Sequence, residues 1–169
     1  MRASLLRHLS FVTLIALLVA GAALAATRAP VTVKATHDST LNTSILVNRS
    51  GKTLYHLTTD RGRRVGCTAA CASAWPPLIA PKGVTPTAGP GIAKSKLGTV
   101  KRPDGRIQVT YAGLTLYRYS GDDNAGQTNG EGIEKIWYAV SPSGELVKSA
   151  NAPAGGGGYG DPGGGYYPP

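Results

Sequence analysis

Gly51-Lys52-Thr53-Leu54-Tyr55-His56-Leu57-Thr58-Thr59-Asp60 returns later in the chain as Gly113-Leu114-Thr115-Leu116-Tyr117-Arg118-Tyr119-Ser120-Gly121-Asp122. The offset from Tyr55 to Tyr117 is 62 residues, and without a gap it also pairs Ile45 with Ile107, Val47 with Val109 and Trp75 with Trp137. A fixed offset shared by strands, motif and tryptophan marks a duplication. On a strand, Tyr55 and Leu57 share one face and Leu54 and His56 the other; Tyr117 and Tyr119 share a face in the same way. Asp60 and Asp122 stand just past the strand, where a carboxylate accepts from loop amides and fixes the exit. The structural reading has Tyr55, Trp75, Tyr117 and Trp137 filling the core and the two aspartates locking turns. The functional reading has two Tyr/Asp pairs lining two equivalent ligand sites.

Outward from the motif, the pattern is β throughout. Residues 31–35 alternate and are rich in β-branched types, 44–48 carry Ile45, Leu46 and Val47, and 52–58 alternate again. The second half repeats the plan at 96–101, 106–111 and 114–120, with Pro103-Asp104-Gly105 and Ala112-Gly113 as turns. Residues 136–140 read as a strand carrying Trp137, and 145–148 as a last short one. Thr68 to Ala74 is alanine-rich and predicts two turns of helix with Thr68 as N-cap, ended by Trp75-Pro76-Pro77. Residues 79–91 contain Pro81, Pro86 and Pro90 and read as a linker between halves. The expected fold is a small all-β domain, sandwich- or barrel-like, over 31–150. It consists of two pseudo-repeats (31–80 and 93–149), each a three-stranded meander plus a Trp-bearing segment, with one short helix near the cysteines.

The ends read differently. Arg2 and Arg7 precede a short apolar run, Leu9 to Ala23, and Ala23-Leu24-Ala25 has small residues where a signal peptidase cuts. Residues 1–25 are therefore expected to be a signal peptide, leaving an exported chain that is secreted or periplasmic. The run is shorter than the roughly 20 apolar residues of a membrane span, and no later stretch supplies one. No cysteine follows the run, so lipid anchoring is not expected. Residues 151–169 hold eight glycines, four prolines and three tyrosines without Leu, Ile, Val or Phe, a composition expected to stay disordered.

The chain carries 18 Lys and Arg against nine Asp and Glu. Without Arg2 and Arg7, the mature part keeps 16 basic residues and a net charge of +7. That charge serves either solubility or attraction to anionic components of the cell envelope. Nucleic acid is not an expected partner of an exported chain lacking interleaved basic and aromatic residues.

Cys67 and Cys71 are the chemical candidates. An even cysteine count in an exported chain points to a disulfide. The alternatives are a reactive dithiol, or a copper site of two thiolates completed by His56. The mature chain offers only His37 and His56 beside them, and no Met. Asp122, Asp123, Asn124, Gln127, Asn129 and Glu131 make an oxygen-rich loop, but Gln127 stands where a calcium-binding EF-hand needs Gly. No G-x-S-x-G elbow, H-E-x-x-H or P-loop is present, so no catalytic residue is assigned and an enzyme is not the expectation.

The motif residues carry a resemblance. Gly51, Leu54, Tyr55, Asp60, Cys67, Cys71, Trp75, Pro76 and Pro77, then Asp104, Gly105, Gln108, Leu116, Tyr117, Tyr119, Asp122, Gly126, Gly130 and Trp137, resemble the secreted-repeat family of predicted lipoproteins with a Y-x4-D (Y-x-[FWY]-x-x-D) motif. The resemblance spans about residues 35–148. It implies an exported, envelope-associated protein of tandem repeats and no particular activity. Leu57 replaces the motif's middle aromatic in the first copy, and the lipoprotein cysteine is missing. The functional expectation is a non-catalytic binding or structural module whose partner is an unidentified cell-envelope component. The alternative is a copper or thiol redox protein using Cys67 and Cys71.

Overall fold

The computed structural model describes residues 32–148. The signal-peptide and tail expectations fall outside the described residues. Within them the chain runs β1 (Thr32–Asp38), β2 (Thr43–Asn48), β3 (Tyr55–Leu57), α1 (Ala69–Ala74), β4 (Ile79–Ala80), β5 (Thr87–Ala88), β6 (Leu97–Lys101), β7 (Ile107–Tyr111), β8 (Leu114–Thr115) and β9 (Trp137–Ala139), with single 3-10 turns at Lys94–Lys96 and Ile133–Lys135. The fold is mostly β, as expected, and its sheets do not close into a barrel. β2-β1-β5 form one sheet, β3-β9 a second, and β4-β7-β6 a third with β8 also on β7. All pairings are antiparallel except β1 with β5.

The local turns follow from residue type. Ala112 and Gly113 join β7 to β8 with φ of 49° and 83°, the left-handed pair that matches strand twist in a two-residue hairpin. Gly51 takes φ 83° and donates its amide to the Asn48 carbonyl at 3.0 Å.

Four sequence expectations are corrected. Residues 114–120 form a strand only over Leu114–Thr115, because Tyr117 leaves β7 to bridge Tyr55 and Pro77. Residues 79–91 are not a plain linker: Ile79–Ala80 pairs with β7 and Thr87–Ala88 with β1, and Ala80 is buried. Short strands between prolines carry too little periodicity to be seen in sequence. Residues 145–148 form no strand, only a bridge from Leu146 to Val140. Thr68 occupies the N-cap position without a capping bond, because Ala69 opens the helix at φ 46°, outside regular cap geometry.

The alternation of the motif divides the core. Tyr55, Leu57, Trp75, Tyr117 and Trp137 lie in one buried cluster with Ile45, Val47 and Cys67. Leu54 and Leu116 point the other way, into a second cluster with Val33, Leu46, Val109, Tyr111 and Val140. Each motif strand is therefore buried on both faces, the condition that places it at the centre of a domain.

The Trp segments are exchanged between the copies. β3 of the first copy pairs with β9 of the second, Leu57 opposite Trp137 and Tyr55 opposite Ala139. Reciprocally, Tyr117 bridges Pro77, and the Arg118 and Ser120 amides donate to the carbonyls of Pro76 and Ala74 at 2.9 and 2.8 Å. The matching bond in the first copy, Thr58 N–H to Ile136 O, is 2.9 Å. Where the copies meet, the amides and carbonyls of Tyr55 and Tyr117 bond each other at 2.8 and 2.9 Å. Each meander pairs within its own copy, and the Trp segment of each copy pairs with the other.

Candidate functional site

The six motif residues assemble around that central pair of strands. The Tyr55 hydroxyl donates to Asp122 Oδ2 at 2.7 Å, and the Tyr117 hydroxyl donates to Asp60 Oδ2 at 2.6 Å. Each tyrosine is thus bound by the aspartate of the other copy. Each aspartate keeps its second oxygen for its own loop, as its position past the strand predicts. Asp60 Oδ1 accepts the Gly66 amide at 2.7 Å, and Asp122 Oδ1 the Asn129 amide at 2.9 Å. The tryptophans lie between, stacked face to face at 3.9 Å and 4°. Tyr55 meets Trp75 edge-on at 5.5 Å, and Tyr117 meets Trp137 edge-on at 5.2 Å. Tyr119 adds a further ring on Trp75 at 4.4 Å. Leu57 stands at the matching position of the first copy, so the aromatic stack extends on one side alone.

Sequence reasoning did not single out Thr53 and Thr115, although both lie in the repeated stretch at the same offset. Thr115 Oγ1 donates to Asp60 Oδ2 at 2.7 Å, and Thr53 Oγ1 to the Gln127 carbonyl at 2.7 Å. Gln108 and Arg102 were missed as a pair. Arg102, 2% exposed, reaches Gln108 Oε1 at 2.5 Å and the Cys67 carbonyl at 2.6 Å, and Gln108 donates to Leu116 O at 2.9 Å. Every buried side-chain nitrogen and oxygen among the described residues has a partner.

Burial, and then the carboxylate each one faces, raises the pKa of both Tyr55 and Tyr117 above the ordinary phenol value. Neither is set up to act as a tyrosinate base. His56 sits on the opposite strand face, its Nδ1 3.1 Å from both the carbonyl and the hydroxyl of Thr115. Burial lowers its pKa and favours neutral imidazole. Cys67 and Cys71 are joined in a disulfide at the start of α1. No three His, Cys, Asp or Glu side chains converge as a metal site among the described residues. A shallow polar cleft of about 330 Å³, lined by Leu41, Thr43, Ser141, Glu145 and Lys148 among others, lies apart from the motif residues.

Residues 98–141 match the family model of a secreted repeat of unknown function. The matched stretch runs from β6 to just past β9 and contains Tyr117, Asp122 and Trp137. By the internal offset, residues 36–79 correspond in position to this stretch and contain Tyr55, Asp60 and Trp75. Each tyrosine ring meets the tryptophan of its own copy, but the stacked tryptophans, the Tyr–Asp hydrogen bonds and the backbone pairing of each Trp segment run between copies, so one such stretch does not complete the cluster. No curated protein and no solved structure matches the chain. No helix among the described residues is long and apolar enough to cross a membrane.

Two outcomes follow from this geometry. Asp122 is pushed up to about 6, first by burial and further by Asp123, while the Tyr55 hydroxyl, the Asn129 amide and Lys52 oppose the rise. A carboxyl that holds its proton more tightly folded than unfolded contributes stability in full below about pH 4, and that stability is lost as pH rises through about 6. The loss should be about 2 kcal/mol, discounted for residual solvent. Asp122→Asn holds the neutral form permanently, so its stability difference from wild type should change sharply across pH 4–6.5. Denaturant unfolding at each pH measures this, and a constant difference would remove the assignment. The disulfide closes a loop of only a few residues, so replacing both Cys67 and Cys71 by Ser should cost about 2 kcal/mol or less. A thermal melt checks it, and loss of folding would mean the bridge holds more than its own loop.

Proposed function

We propose that this protein is an exported, non-catalytic module that binds or structurally supports a component of the cell envelope. The observation that carries this reading is the closure of the repeated motif upon itself. The hydroxyls of Tyr55 and Tyr117 are engaged by Asp122 and Asp60 inside the core, so the motif works as framework and recognition falls to the surface. The secreted-repeat match supports an extracytoplasmic address. Residues 1–25 have the sequence of a signal peptide, and the charge of +7 left after it favours anionic partners. On this reading the chain is exported through residues 1–25, is not lipid-anchored, and folds over 31–150 as two interlocked repeats.

The test is fractionation of cells expressing the full chain. The protein should sediment with envelope material at low salt and be released as ionic strength rises, since screening weakens exposed charge contacts. Recovery in the soluble fraction at low salt would overturn the proposal.

A further inference from the structure

The two copies differ in the loop that follows the motif aspartate. In the second copy this loop folds down onto the first. The Gly126 amide donates to Gly51 O at 3.2 Å, and Ala125 lies so close that a Cβ on Gly51 would approach it within 2.9 Å. The equivalent loop of the first copy, residues 61–64, leaves the equivalent seat empty, for Gly113 faces open space. It closes on itself as a tight hairpin instead. The Arg61 amide donates to Arg64 O at 3.2 Å, and the Arg64 amide returns to Arg61 O at 2.9 Å. Arg61, Gly62, Arg63 and Arg64 are all exposed. Among the described residues none of the three guanidinium groups is in an ion pair.

The base of this hairpin is fixed from several sides. Val65 is buried in the aromatic cluster, and Gly66 is tied to Asp60, which is itself held by Tyr117. Cys67 is fully buried, bridged to Cys71, and its carbonyl accepts from Arg102. The second copy has Asn129 and Ile133 at the positions of the two cysteines and lacks this brace. Three like charges on a braced turn repel one another, and no ion pair among the described residues offsets that repulsion. Holding them in place does lower the ordering cost of binding an anion.

We propose that Arg61, Arg63 and Arg64 form a binding site for a linear, phosphate-bearing polyanion. The proposal rests on the envelope-module reading and names its partner class. Guanidinium forks match phosphate oxygens two at a time and stay charged at all physiological pH. A repeating phosphate chain lets neighbouring arginines act together. A membrane surface fits less well, because interfacial docking combines basic residues with apolar wedges. The exposed neighbours Thr59, Gly66, Thr68, Ala69 and Ala70 offer no apolar group larger than a methyl.

The test measures binding of long-chain inorganic polyphosphate to the full chain across a salt series. One variant carries Arg61→Gln, Arg63→Gln and Arg64→Gln. A control carries Arg49→Gln, Lys94→Gln and Lys101→Gln, removing the same charge from other exposed positions. The hairpin variant should lose about tenfold or more in affinity, with the slope of log Kd against log salt reduced by about two to three. The control should lose much less, and both should melt with the wild type because all six side chains are exposed. Equal losses in the two variants would show net charge alone and overturn the site. Polyglutamate and phosphatidylglycerol vesicles should both bind more weakly than polyphosphate, and an equal or tighter hold on either would overturn the phosphate-polymer assignment. Failure of the envelope reading looks different: wild-type protein in the soluble fraction with polyphosphate binding intact.

Discussion

Trp75→Ala is expected to destabilise the fold by about 3–5 kcal/mol, the cost of truncating a large buried aromatic and leaving a cavity. Trp75 is 5% exposed and touches three other rings: Trp137 face to face, Tyr55 edge-on and Tyr119 tilted. Each well-placed aromatic pair adds about 0.5–1.5 kcal/mol beyond its buried area. A domain of ordinary stability, about 5–15 kcal/mol, would be left marginal. Trp137→Ala should cost a similar amount, since it answers to Trp75 across the stack. The double variant should lose less than the sum, because the two share one contact. Urea unfolding of both singles and the double measures this. A loss under 1 kcal/mol for either, or strict additivity, would show that the stack is not the core of the domain.

The second large effect is Asp60→Ala, expected to cost about 3–4 kcal/mol, since each buried polar group left unpaired costs about 1–3 kcal/mol. One carboxylate serves the Tyr117 hydroxyl, the Thr115 hydroxyl and the Gly66 amide. Tyr117→Phe alone should cost only about 1–1.5 kcal/mol, as it removes one hydrogen bond with little change in shape. A double-mutant cycle makes the result specific. Asp60→Ala should couple with Tyr117→Phe by more than 1 kcal/mol and with Tyr55→Phe by almost nothing. Coupling of Asp60 with Tyr55, its neighbour in sequence, would mean that each copy closes on itself and the exchange is wrong.

That cycle separates what could be read along the chain from what could not. The alternation at Leu54-Tyr55-His56-Leu57 puts Tyr55 and Leu57 on one face and Leu54 on the other, and each lies in the cluster that alternation assigns. Asp60 and Asp122 were placed as locks on their own loops, and one oxygen of each does so. The other oxygen of each was not legible. It binds a tyrosine 57 or 67 residues away, and no local pattern encodes so distant a partner. Thr53 and Thr115 were visible as repeated positions, yet a threonine on a β-strand is unremarkable until its acceptor is known. Ile79–Ala80 and Thr87–Ala88 were hidden because strands of two residues have no measurable period.

The sequence by itself determined the strands that precede each motif, the hairpin at Ala112-Gly113 and the burial of Tyr55, Trp75, Tyr117 and Trp137. Each of these depends on neighbours a few positions apart, through alternation, turn propensity and hydrophobicity. Only the tertiary structure decided which copy each Trp segment joins. Two copies of one pattern offer two pairings, within a repeat and between repeats, with the same residue types on both sides. Local chemistry cannot rank them. The route from Asp60 to Trp75, through the arginine hairpin, the disulfide and α1, ends with the backbone of Ala74–Pro77 bonded to the Tyr117 segment, while the Trp75 ring meets Tyr55. The long-range hydrogen bonds and the stacked tryptophans then hold that choice.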